Sequence, residues 1–344
     1  MHDGLLHKLA RRSLQAALTL LGITLLAFGL VHLIPGDPVQ MMAGTRRLDP
    51  AFHAEMLQRL GLDRPLPEQY LKYLLQALQG DLGRSLVTQE PVLAEFLHLF
   101  PATLELTFAA LLFAALLGVL AGVVAAVRQG RLPDRLVGAL SAFGSAVPVF
   151  WWGLLLIMAG AVGLAHWAPA LALPVAGRIA LEYDVAPRTG LMLVDAWLGD
   201  EPGAWRSALS HLLLPAIVLG TAPAAMLARM TRAAMLEVLR ADYIRTARAQ
   251  GLGEARIVWR HALRNALLPL LTVGGMLAGS LLGGAVFTET VFSWPGVGSW
   301  LVHAIARRDY PVLQGGVLIT AALMVLTNLL VDLLYTLADP RLRH

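Results

Sequence analysis

Few residues in this chain are of a type that does chemistry, and they gather in two settings. Glu105 and Asp332 are carboxylates set inside apolar stretches, and eight arginines lie between residues 229 and 264 against Glu237, Asp242 and Glu254. A carboxylate in hydrocarbon is costly unless it is paired, so each predicts either a buried pairing or a polar step along a path through a membrane. The arginine run predicts a surface held on one side of that membrane. Catalytic patterns are missing. Neither lysine, Lys8 or Lys72, stands in a G-x-x-x-x-G-K-[ST] context, no H-E-x-x-H helix occurs, and the chain has no cysteine. No nucleophile stands beside a base. The ten histidines are scattered, and His32, His166, His211 and His303 fall near the ends of apolar stretches, where a half-polar ring is comfortable without a metal.

The elements that must position these groups are membrane spans. The chain has 344 residues, 57% hydrophobic and 15% charged, with a mean hydropathy of +0.65, more apolar than a water-soluble core requires. A helix crosses a hydrocarbon layer of ~30 Å with about 20 residues. Six stretches meet that length: 14–34, 102–127, 136–165, 211–230, 266–287 and 312–338. An even number places both termini on one side. Segments 1–13, 128–135, 229–264 and 339–344 hold 16 of the 27 basic residues, although the alternate segments are about twice as long, so positive charge assigns them, and both termini, to the cytoplasm. The first stretch is too long for the core of a signal peptide and is read as a retained anchor. The net charge of +4 then reflects topology rather than a nucleic-acid partner.

Between the spans, turn residues mark further elements. Asp49 and Pro50 suit a helix start and Gly61 its end. A second short helix is predicted from about Pro67 to Gln79, with Leu71, Leu74, Leu75 and Leu78 on one face and Gly80 beyond it, packing on a neighbouring span. Segment 166–210 carries Pro169, Pro174, Pro187 and Pro202 and shows no periodicity; it predicts an ordered binding loop. Gly118 and Gly122 form a small-x-x-x-small pair, and Gly274, Gly275, Gly279, Gly283 and Gly284 crowd the fifth stretch, which suits close helix packing or the sliding of helices in a transporter.

Length and pattern separate the arginine-rich segment from an ordinary connector. Ala241 to Gln250 is helix-compatible, Gly251 suits a C-terminal cap, and a second helical run from Glu254 sets Arg256, Arg260 and Arg264 four residues apart, with Ile257, Val258 and Leu263 elsewhere on it. The small residues Thr246, Ala247 and Ala249 would let another protein approach closely.

This helix, glycine turn and helix resembles the EAA loop of permease subunits in binding-protein-dependent ABC importers. Arg245-Thr246-Ala247 stands where Glu-Ala-Ala would, Gly251 matches the motif glycine, and His261-Ala262-Leu263-Arg264 occupies the last block. The generic Glu and Pro are replaced, as in the peptide-importer branch. Other stretches resemble that branch along most of the chain: IPGDP at 34–38, LGLDRPLPEQY at 60–70, GDLGRS at 80–85, ATLEL at 102–106, PVFWWG at 148–153, LPAIVLG at 214–220, TETVFSWPGVG at 288–298, RRDYP at 307–311 and NLLVDLLY at 328–335.

The resemblance is to the first of two permeases of dipeptide importers in the peptide/nickel family. It implies an all-α integral membrane protein with the type I ABC-importer permease fold: residues 1–101 as an anchor plus extracytoplasmic helical segment, and residues 102–344 as a five-helix core with the coupling loop 229–264. It implies a multi-pass protein of the inner membrane, in the lipid bilayer, that forms half of a peptide path. Its partners would be a second permease, two cytoplasmic ABC ATPases and an extracytoplasmic peptide-binding protein. The chain itself would be no enzyme and would hold no cofactor, ATP and Mg2+ being bound by the partner ATPases. Arg245, Thr246, Ala247, Gly251, His261, Leu263 and Arg264 are the implied coupling residues. Sister branches carry oligopeptides, glutathione, haem or nickel. A proton-coupled secondary transporter would instead show internal repeats and mid-span charges.

Overall fold

The computed structural model describes residues 2–33, 49–60, 63–169 and 172–338. The IPGDP stretch, Gly61 and the C-terminal segment 339–344 lie outside the described residues, as does the side chain of Asp332.

Nearly every described element is a helix: α1 (His2–Leu33), α2 (Pro50–Leu60), α3 (Leu66–Leu78), α4 (Val92–Val127), α5 (Leu132–Ala146), α6 (Val149–Trp167), α7 (Met192–Leu198), α8 (Ala204–Leu239), α9 (Asp242–Ala249), α10 (Glu254–Gly284), α11 (Val286–Val291), α12 (Val297–Arg307) and α13 (Tyr310–Ala338). Among the described residues five helices, α4, α6, α8, α10 and α13, are long and apolar enough to cross a membrane, while α1 carries a shorter apolar stretch, Leu14–Gly29.

Start and stop chemistry is visible at the short helices. Asp49 accepts the Ala51 N–H at 3.3 Å ahead of Pro50, opening α2. Gln79 closes α3, and Gly80 follows in the left-handed region at φ 81°. α3 does pack on α1, where Tyr70 Oη lies 2.9 Å from Thr24 Oγ1 and Phe28 meets both Tyr70 and Tyr73. That contact uses its tyrosine face; Leu71, Leu75 and Leu78 remain exposed.

α4 and α8 form the centre of the bundle, with the most extensive helix contact among the described residues. Their backbones approach at glycines: a Cβ added at Gly118 would lie 2.7 Å from Ala224 O, and one at Gly122 would lie 2.6 Å from Ala228 O. Gly118 and Gly122 therefore serve tight packing. In α10 only part of the glycine crowd does so: Gly279 faces Asn328 and Gly275 faces Val331 of α13, whereas Gly274 and Gly284 meet open space.

Three boundaries differ from the sequence reading. α4 begins at Val92 and not near residue 102, because Pro101 sits inside a longer helix; Glu105 is thus more than three turns in rather than one. α8 runs from Ala204 to Leu239 through Pro215 and Pro223, well past both ends of stretch 211–230. The third stretch is two helices, since Pro148 has no N–H to donate and forces Val147 into extended backbone with ψ 129°.

Candidate functional site

The cytoplasm-assigned segment is a platform on which one short helix rides. α8 ends at Leu239, Ala241 is extended, and α9 begins at Asp242. α9 ends in paired backbone bonds, Leu252 N–H to Ala247 O at 3.2 Å and Gly251 N–H to Arg248 O at 3.0 Å. That pairing needs a left-handed residue between, and Gly251 supplies it at φ 79°. Arg248 closes the turn on Glu254 through Nε at 2.8 Å and Nη2 at 3.3 Å.

Below the turn, the second helical run is the beginning of α10 rather than a separate helix, and it contains a π turn at Ile257–Ala262. Arg256, Arg260 and Arg264 are all exposed. Met235, Ile244, Ile257 and Ala262 are fully buried in one cluster with Val123, Ala126, Ala247, Val258 and Ala266. α9 is thereby fixed to the ends of α4, α8 and α10 at once.

The structure places the implied coupling residues on different sides of this platform. Thr246 and Arg245 face solvent, Thr246 donating to Asp242 O at 3.1 Å and Arg245 lying 3.3 Å from the Asp242 carboxylate. Gly251 and Arg264 are exposed, and His261 and Leu263 are half-buried. Ala247 corrects the expectation of close approach there: it sits three residues after Ile244 on the inward face, so it packs the core, while Thr246 and Ala249 form the accessible surface. Tyr243, absent from the sequence reading, is exposed on α9 and accepts from Asn265 Nδ2 at 2.7 Å.

A clamp on the same side ties α5 to α8. Arg232 holds Asp134 bidentately, through Nε at 2.5 Å and Nη2 at 2.9 Å, and the Gly130 N–H donates to Asp134 at 2.8 Å. The Arg232 hydrogen bonds, followed by that of Gly130, hold the Asp134 carboxyl down at about 2.

At the other end of α4, the carboxylate of Glu105 gathers the part of the long loop from Arg178 to Leu193. Arg178 Nη2 donates to it at 2.7 Å, the Leu193 N–H at 2.7 Å and the Met192 N–H at 3.3 Å. Arg178 also reaches Gly190 O at 2.8 Å and lies 5.8 Å over the ring of buried Trp294. Within the loop, burial would push the Asp195 carboxyl up, but hydrogen bonds from the Thr189 hydroxyl and N–H and from the Gly190 N–H outweigh it and hold it low. The TETVFSWPGVG stretch has its own anchor. Glu289 is fully buried and accepts from Thr103 at 2.6 Å and the Ser299 N–H at 2.9 Å, and Trp294 donates to Ala102 O at 2.9 Å. No spacing rule pointed to Arg178, Asp134, Arg232 or Glu289; the side chains they pair with, Glu105, Arg232, Asp134 and Thr103, lie far away in sequence.

The assembly is thus a multi-helix membrane body with an ordered loop at one end and a helix-bearing platform at the other. Comparison with known proteins places the chain among membrane transport components. The family model described as binding-protein-dependent transport system inner membrane component matches residues 118–344, and its N-terminal companion matches residues 5–107. The chain is 58% identical to the di/tripeptide transport system permease protein DppB of Pseudomonas aeruginosa, covering 98% of each chain. It is 51% identical to the dipeptide transport system permease protein DppB of Escherichia coli K12, covering 95% of each. It is 39% identical to the glutathione transport system permease protein GsiC of Pectobacterium atrosepticum, over 99% of this chain and 100% of that one. The chain belongs to the family of binding-protein-dependent transport system inner membrane components.

Proposed function

We propose that this chain is one of two permeases in an ATP-driven dipeptide importer of the inner membrane, with six spans counting α1 and both termini in the cytoplasm. The observation that carries the coupling is the buried cluster joining Ile244 and Ala247 of α9 to Val123, Met235 and Ile257 of three long helices. A force on α9 reaches α4, α8 and α10 together, since close-packed interiors transmit displacement rather than absorb it. The solvent face of α9, with Tyr243, Arg245, Thr246 and Ala249, is the surface offered to a cytoplasmic ATPase; ATP and Mg2+ are bound there, on the partner. The loop ordered by Glu105 and Arg178 is the surface offered to a peptide-binding protein on the other side. Dipeptides are favoured over glutathione because the relatives named for dipeptides are the more similar ones.

The test is uptake. In an amino-acid auxotroph without other peptide routes, deleting the gene abolishes growth on the required residue supplied as a dipeptide, and restoring it restores growth. Unimpaired growth of the deletion strain, with lost uptake of glutathione, haem or nickel, would assign a sister substrate.

A further inference from the structure

The third apolar stretch is interrupted level with the middle of the apolar part of α8. α5 ends at Ala146, Val147 and Pro148 are extended, and α6 starts at Val149. Gly144 packs on Thr221 of α8, and Trp152 Nε1 donates to Thr221 Oγ1 at 3.0 Å, so the break lies level with Thr221. Thr221 stands eight residues from Arg229 and ten from His211, or about 12 and 15 Å along the helix. These two polar side chains mark the two ends of the apolar part of α8.

No backbone hydrogen bond crosses from α5 to α6 among the described residues. Phe143 O takes the Val147 N–H at 3.2 Å, so the carbonyls of Gly144, Ser145 and Ala146 and the N–H groups of Val149, Phe150 and Trp151 are left for other partners, and no side chain caps α6. Irregular backbone at this depth is tolerated only where protein covers it or water reaches it. Ser145, Ala146, Pro148, Phe150 and Trp151 are exposed on this chain.

The exposed surface of α5 has two chemically different flanks. Its buried face, Asp134, Ser141 and Gly144, meets α8. Of the two exposed flanks, one carries Leu132, Leu136, Leu140 and Phe143 at helical spacing and suits lipid. The other carries Gly138, Ala142, Ser145 and Ala146. A cation sits on this second flank: Arg229 donates to Ser141 O at 3.0 Å and to Ser145 Oγ at 3.2 Å. None of the ion pairs among the described residues involves Arg229. An exposed guanidinium without a carboxylate partner at the end of an apolar run is hydrated or pairs with an anionic ligand.

We infer that the Val147–Pro148 break and the flank bearing Ser145, Ala146 and Arg229 line the cytoplasmic half of a water-filled translocation path, where the Arg229 guanidinium meets the carboxylate end of a passing peptide. This rests on the reading of the chain as a peptide permease. Water and a peptide can satisfy the open backbone groups at the break, which lipid tails cannot, and the positive charge suits an anionic terminus.

The cysteine-free chain makes the test direct. Ala146→Cys and, on the leucine flank, Leu140→Cys are placed singly in the complete importer with its partner subunits, reconstituted in proteoliposomes. They are reacted with an anionic thiol reagent, methanethiosulfonate ethylsulfonate, and its cationic trimethylammonium counterpart. Ala146→Cys reacts at least about tenfold faster than Leu140→Cys and prefers the anionic reagent by about tenfold. Adding Arg229→Gln removes that preference, and adding Arg229→Lys keeps it. Millimolar dipeptide on the cytoplasmic side slows the anionic reagent more than the same dipeptide with an amidated C-terminus. Equal, slow labelling at Ala146→Cys and Leu140→Cys would overturn the path assignment. A preference untouched by Arg229→Gln, or equal slowing by both peptides, would remove Arg229 from it. Fast, charge-selective labelling in a complex that imports no dipeptide would leave the water-lined break standing and sink the dipeptide reading instead.

Discussion

Arg178 of the loop between α6 and α7 lies 2.7 Å from Glu105 of α4, with their side chains only 12% and 7% exposed. The carboxylate also accepts two N–H groups of α7, so one buried charge fixes both the loop and its short helix. Removing one member of a buried pair typically costs ~3–5 kcal/mol, whereas removing both costs much less. Arg178→Met should therefore lower the melting temperature of the purified complex sharply and abolish stimulation of its ATPase by the binding protein. Arg178→Met with Glu105→Gln should recover most of the stability. A double variant as unstable as the sum of the two singles would show that the two residues act independently.

The Asp134 clamp makes a pH prediction. Its carboxyl stands at about 2 in the folded protein against an ordinary value of 3.8. A depressed acid contributes stability that is fully present above its unfolded value and lost as pH falls through the folded one. The difference in melting temperature between wild type and Asp134→Asn should accordingly stay constant from pH 8 to pH 5 and close only between about pH 4 and pH 2. A difference that shrank between pH 8 and pH 6 would mean that another group titrates at the clamp.

Helix approach makes a third. Gly122→Leu must push Ala228 O and Thr231 away, and overpacking of a tight interface costs ~1–3 kcal/mol or more. Membrane abundance of this variant should fall severalfold by quantitative immunoblot. Gly274→Ala, which meets open space, should not lower it, since alanine favours the helix by about 1 kcal/mol. Equal abundance of the two would place the α4 and α8 contact elsewhere.

Topology can be read with the same cysteine-free background. Leu181 is fully exposed in the loop between α6 and α7, and Ala249 is exposed on α9. In intact spheroplasts an impermeant thiol reagent should label Leu181→Cys and not Ala249→Cys, and inside-out vesicles should reverse the result. Labelling of both sites from one side would rule out the six-span arrangement.

The parts legible in the sequence are those set by short-range stereochemistry. Asp49 before Pro50, Gly80 after α3 and Gly251 after α9 each act within a few residues, and each stands where its turn chemistry requires. Gly118 and Gly122 were legible as a spacing, although only the structure shows Ala224, Ala228 and Thr231 against them. The beginning of α4 was not legible, because a proline signals a helix start far more often than a proline carried within a helix, and Pro101 is the second kind. The Pro148 break did have a signal, the proline itself, but uniform apolar composition on both sides masked it. Arg178 for Glu105 and Arg232 for Asp134 are 73 and 98 residues apart, and a single sequence holds nothing to pair residues at that separation. Ala247 faced the wrong way in the sequence reading because small residues suit a docking surface and a packed core equally well.

The central claim is that α9 and its glycine turn join ATP hydrolysis on partner subunits to movement of the helix bundle. Gly251 sits at φ 79° with nothing near enough to obstruct a side chain, so a substitution there acts through backbone strain alone, at ~1–2 kcal/mol for a residue with a Cβ and more for a β-branched one. The decisive measurement compares Gly251→Val with Arg256→Ala, an exposed arginine whose loss costs little, in complexes purified at equal abundance. ATPase co-purification and ATP-driven dipeptide uptake in proteoliposomes are scored for both. Gly251→Val should retain its sister permease yet lose the ATPases, or hydrolyse ATP with uptake reduced at least about tenfold, while Arg256→Ala stays within about twofold of wild type. Normal uptake by Gly251→Val would contradict the account and reduce the platform to a charged connector.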